Sequence, residues 1–108
     1  MPNAPRLHAH HCTEAIADVI GEEVILAKPV SAFGIGGCSF SEPAWETCGK
    51  QVELILSFPE QHVHIPLQGL VSLSSLKNME IRFMNLSQEQ RWALEKTVRR
   101  DQDRSKRR

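Results

Sequence analysis

The sequence predicts a mainly β domain: an antiparallel sheet of short strands that can close into a small barrel, with one C-terminal helix covering an opening. Three observations lead there. Between Gln51 and Met84 apolar and polar residues alternate in three successive runs, each ended by a short turn. After Ser87 the apolar spacing changes to that of a helix. The core must be aliphatic, because the 108 residues include no Tyr and only 6% aromatics, while apolar residues make up 41%.

The first elements are the least regular. Residues 1–12 are rich in Pro and His, lack periodicity and read as a flexible arm. They contain no apolar h-region, so they do not form a secretory signal. "TEAIADVI" supports two readings. Ile16, Val19 and Ile20 fit one face of a helix, and Ile16, Asp18 and Ile20 fit the alternation of a strand. Gly21 closes it, "EVILA" follows as a strand, and Pro29 turns the continuation into an edge or a bend.

"SAFGIGGCSF" carries Gly34, Gly36 and Gly37 within four positions. No helix pattern follows, so it is not a phosphate cradle at a helix N-terminus. No Lys-Ser or Lys-Thr follows, so it is not a Walker loop. It reads as a tight bend into a strand. Gly37 is expected either to hold a φ that glycine alone tolerates or to begin a crowded strand.

The centre is clearer. In "KQVELILSF" Val52, Leu54, Leu56 and Phe58 share one face. "PEQ" is a turn, and "HVHIPLQGLVSL" returns with Val63, Ile65 and Leu67 on one face, which makes a hairpin. Pro66 and Gly69 suggest an edge position or a bulge. "SSLKN" is a second turn, followed by "MEIRFMNL" with Met79, Ile81 and Phe83 alternating. Ser87 and Gln90 then have the spacing of a capping box. The helix after them is expected to pack through Trp92, Leu94 and Val98 and to fray beyond Val98. The domain is thus placed at residues 13–98 and a disordered basic tail at 99–108.

Charge and cysteine content narrow the function. Thirteen bases balance thirteen acids, so the whole chain has no field that draws it to nucleic acid. Residues 99–108 hold six of the bases against two acids and could touch an acidic partner. They lack the interleaved aromatics that stack on bases, so nucleic acid is disfavoured as a partner. Cys12, Cys38 and Cys48 form an odd set without a CxxC pair, which fits a reducing, cytoplasmic setting and buried, inert thiols. No apolar run approaches the length needed to cross a bilayer. His8, His10, His11 and Cys12 match no zinc spacing, and no cofactor is implied. No nucleophile elbow or paired carboxylates occur, so the chain reads as non-catalytic.

"VSAFGIGGCSF", "CGKQVELILSF", "HVHIPLQGLV" and "MEIRFMNLSQEQRWALEKTV", in this order, resemble the PilZ domain family from about Arg6 to Val98. The resemblance implies a six-stranded barrel with a C-terminal helix and a role as a receptor for cyclic di-GMP. The family grips that ligand with R-x-x-x-R in the arm and D/N-x-S-x-x-G before a strand. Arginine forks suit its phosphates and guanines, and a small-residue turn lets backbone approach. Here Arg6 fills the first arginine slot and His10 the second. Ala32 stands in the Asp/Asn slot, Gly34 in the Ser slot and Gly37 in the Gly slot. The ligand-binding residues implied are therefore Arg6, His10, Gly34, Gly36 and Gly37. The expected function is a non-catalytic adaptor in cyclic di-GMP signalling, with ligand binding weak or lost and action through a protein partner. The alternatives are a working receptor using Arg6 and the turn, and a nucleic-acid-binding protein using the basic tail.

Overall fold

The computed structural model describes residues 10–11 and 14–106, with side chains over 14–100. Eight strands are found there: β1 (His10–His11), β2 (Ile16–Ile20), β3 (Val24–Pro29), β4 (Ala32–Phe33), β5 (Gly37–Phe40), β6 (Gln51–Phe58), β7 (Val63–Ser74) and β8 (Met79–Met84). A turn of 3₁₀ helix at Pro59–Gln61 joins β6 to β7, and helix α1 spans Gln88–Lys106.

All strands lie in one antiparallel sheet, ordered β1-β4-β5-β8-β7-β6-β2-β3. β3 ends this order on one side, and β4 stands next to the other end. Only Val30 and Ser31 separate them in the chain, so the sheet curls back on itself. β1 and β2 likewise run in turn along β4 and β3. Eight strands rather than the six expected therefore reflect two broken staves. The break after Pro29 is the bend the sequence foretold.

The ambiguous segment is strand β2. Ala17 and Val19 stand opposite Leu56 and Leu54, and partners directly opposite share a face, so the small residues point inward. Ile16 and Ile20 point outward. β3 carries one extra residue where the register shifts, and Ala27 takes it up at φ 57° with its N–H donated to Asp18 Oδ1 at 2.8 Å. Val52, Leu54, Leu56 and Phe58 of β6 are buried as their alternation requires, as are Met79, Ile81 and Phe83 of β8.

Three expectations need correction. Gly69 pairs with both Val52 of β6 and Phe83 of β8, so it is at no edge, and the register shift in β7 falls between Val71 and Leu73 instead. Pro66 does stand at a local edge, as expected: it pairs with Ile55 of β6, β8 reaches only Gln68, and the Pro66 carbonyl accepts from Gln90 Nε2 at 2.8 Å. Its ring nitrogen faces that same side, where no ladder bond is needed. Gly69 is required by crowding, since an added Cβ would collide with Ile81 Cγ2. Trp92 does not pack on the barrel. It is 62% exposed, and the Lys96 ammonium sits 4.5 Å from its ring centroid. The inward stripe of α1 is Gln90, Ala93, Leu94, Thr97 and Val98, and the position after Ala93 is the one that reaches the core. Finally, the helical backbone continues past Val98 to Lys106, because no Gly or Pro interrupts it.

The capping box forms as spaced: Gln90 N–H donates to Ser87 Oγ at 3.0 Å, and Ser87 N–H to Gln90 Oε1 at 2.7 Å. Of residues 1–12, only the backbone of His10 and His11 is described, and it pairs with β4.

Candidate functional site

The glycine-rich turn links β4 to β5. Gly34 N–H donates to the Gly37 carbonyl at 2.9 Å, which leaves Ile35 and Gly36 at the tip. The Gly36 carbonyl accepts from Phe83 N–H of β8, also at 2.9 Å. One of these bonds closes the turn, and the other ties it to β8. An added Cβ on Gly36 would meet nothing within 4 Å, and its φ lies outside the left-handed range. Gly34 and Gly37 are buried, and Gly37 opens β5 opposite Arg82. Beneath the turn, Phe33 packs on Phe58 with ring centroids 4.9 Å apart.

The side chains in the ligand slots offer little chemistry. Ala32 and Gly34 provide no donor or acceptor, and the hydroxyls nearest them in the chain are turned to each other. Ser31 Oγ lies 3.1 Å from Ser39 Oγ and 3.1 Å from the Ser39 carbonyl. His10 pairs by backbone with Phe33, one residue from the turn, so the arm and the turn are neighbours in the fold. Arg6 lies outside the described residues.

Other candidates sit elsewhere. His62 and His64 flank the start of β7, and His64 Nδ1 is 2.9 Å from Ser57 Oγ. Among the described residues no three His, Cys, Asp or Glu side chains gather as a metal site. Cys38 is fully buried, and desolvation pushes its thiol up to about 12. Cys48 is exposed, against the expectation of buried thiols: it lies in the loop after β5, next to Gly49 at φ 92°.

A cleft of about 440 Å³ opens on the outer face of β6 and β7, lined by Ile20, Lys50, Glu53, Gln68, Met84 and Asn85. It continues toward α1 along Ile55, Pro66 and Gln90. Glu46 fixes its wall at the β2–β3 tip. The buried carboxylate accepts Glu22 N–H at 2.9 Å, and Gly21 must lack a side chain to admit it. No sequence motif marks this cleft. Its signal was the outward polar positions of β6 and β7, which read only as a wet face.

The fold is also that of a solved structure, the Bacillus subtilis inhibitor of motility (MotI/DgrA). The two superpose with a TM-score of 0.70 at 17% identity, over 97% of this chain and 55% of the other. This chain therefore spans about half of that protein's length. At that identity the likeness is one of fold, and it agrees with the PilZ-like barrel expected from the motifs. No protein-family model matches the chain, and no curated relative matches it. Among the described residues no helix is long and apolar enough to cross a membrane.

Proposed function

We propose that this chain is a PilZ-like regulatory module that acts through protein contacts and binds cyclic di-GMP weakly or not at all. One observation carries the reading. The turn that occupies the ligand-binding place of the resemblance has Ala32 and Gly34 in its polar slots, its Gly34 N–H closes the turn, and its Gly36 carbonyl ties it to β8. The fold likeness to an inhibitor of motility supports a non-catalytic regulatory role. Each lost charge-assisted hydrogen bond removes about 1.5–3 kcal/mol, so two would carry a micromolar receptor to millimolar affinity.

Thermal melts test this. Ligand at 100 times its Kd stabilises a protein by about 2.7 kcal/mol, whereas ligand at a tenth of its Kd adds less than about 0.1. The melting temperature is expected to stay unchanged with 100 μM (about) cyclic di-GMP. A rise of several degrees, lost in Arg6→Ala, would restore the receptor reading.

A further inference from the structure

The formal charge of zero hides a strong segregation. Residues 14–60 contain eight acids and two bases, and residues 61–108 contain five acids and ten bases. Two exposed surfaces among the described residues carry part of this segregation. The β2–β3 hairpin presents Glu22 and Glu23 beside an exposed apolar ladder: Ile20 is 38% exposed, Val24 62% and Leu26 65%. Ile20 and Val24 stand directly opposite one another, with Glu53 next across the sheet. The outward face of α1 presents Trp92, Lys96, Arg99 and Arg100, which are neighbours at helical spacing. A largely exposed Trp with Lys96 over its ring has the make-up of an interface anchor, because Trp and Arg dominate binding energy where they are buried by a partner.

We infer that the partner is a second copy of this chain, in a two-fold dimer that seats the α1 face of each protomer on the β2–β3 hairpin of the other. The two surfaces match in kind. The ladder of Ile20, Val24 and Leu26 offers Trp92 an apolar seat, and Glu23, with Glu22 whose carboxylate also lies 3.6 Å from Lys50 Nζ, meets the bases that follow it along the helix. The hairpin and the first turn of α1 border one cleft, whose walls include Ile20 and Gln90, and Trp92 lies on the side of the helix away from Gln90. The proposed two-fold axis places both contacts in one isologous interface. Other partners fit less well. Single-stranded nucleic acid wants several aromatics for stacking, and the face has one. A membrane surface wants a broad apolar face, and Trp92 is the one large apolar side chain here, with Glu89 and Glu95 three residues to either side of it. This inference is independent of whether cyclic di-GMP binds.

Sedimentation equilibrium of the full chain at low ionic strength tests it. The expected mass rises with concentration from 12.2 kDa to twice that value. High salt and Trp92→Ser or Leu26→Ser should each return the monomer. All these residues are exposed, so the variants should fold, and circular dichroism checks it. The sharper test uses two charge-reversed proteins, Lys96→Glu/Arg99→Glu and Glu22→Lys/Glu23→Lys. Each alone should dimerise at least tenfold more weakly, and a mixture of the two should regain the dimer, because both interfaces are then complementary. A monomer at every concentration would overturn the inference. So would a dimer indifferent to Trp92→Ser and Leu26→Ser, or mixed variants that stay apart. Duplex DNA or anionic vesicles bound through α1 by a chain that remains monomeric would overturn it as well.

Discussion

Leu94 is the fully buried apolar residue of α1, and its replacement isolates what the helix contributes to the barrel. Leu94→Ala removes three carbons, each worth about 0.8 kcal/mol when buried, or about 2.4 kcal/mol together. The surroundings are strand side chains held in a hydrogen-bonded sheet, so the site cannot collapse freely, and the residual cavity raises the cost to about 3 kcal/mol. In a domain of this size each kcal/mol moves the melting temperature by about 4–8 °C, so a fall of about 12–24 °C is expected. Arg91→Ala, on the exposed side of the same helix, is the control and should stay within about 0.5 kcal/mol. Denaturant melts followed by far-ultraviolet circular dichroism measure both. Equal stabilities for the two variants would refute the docking of α1 through Leu94.

Two further outcomes follow from the packing. Gly69→Ala should destabilise by about 1–3 kcal/mol, because the new methyl meets Ile81 Cγ2 inside a full core; a melt equal to that of the unaltered chain would show room the structure denies. Burial pushes the Cys38 thiol from 9.0 up to about 12, so above pH 9 the unfolded chain loses a proton that the folded chain keeps. Stability should therefore fall as pH rises from about 9 to 12, by up to about 1.4 kcal/mol per unit from this group, and Cys38→Ala should have a shallower slope. Identical slopes in the two proteins would place Cys38 outside the core.

Much of the fold was legible because β6, β7 and β8 alternate cleanly and Ser87 and Gln90 have the spacing of a cap. β2 was harder. Its inward positions are Ala17 and Val19, and its larger Ile16 and Ile20 face out, so side-chain size pointed to the wrong face. Only the register against Leu54 and Leu56 decides it, and that is a long-range property. Trp92 misled for the same reason. A large aromatic suggests core, yet the phase of the helix is set by Leu94, Thr97 and Val98 together. Pro66 pointed to an edge and stands at one, because β8 pairs with β7 only as far as Gln68. The turn at Gly34–Gly37 could be located from its glycines. Its backbone commitments to Gly37 and Phe83 could not, since they depend on strands more than forty residues apart in part. The cleft beside Glu53 and Gln68 joins four separate stretches of chain, which no single stretch reveals.

The measurement closest to the central claim is isothermal titration of the full chain with cyclic di-GMP at neutral pH. The account predicts no saturable heat at micromolar ligand, with any residual affinity near millimolar, because the second arginine slot holds His10 and the turn slots hold Ala32 and Gly34. A saturable, low-micromolar isotherm that Arg6→Ala abolishes would contradict it, and would make this chain a working receptor.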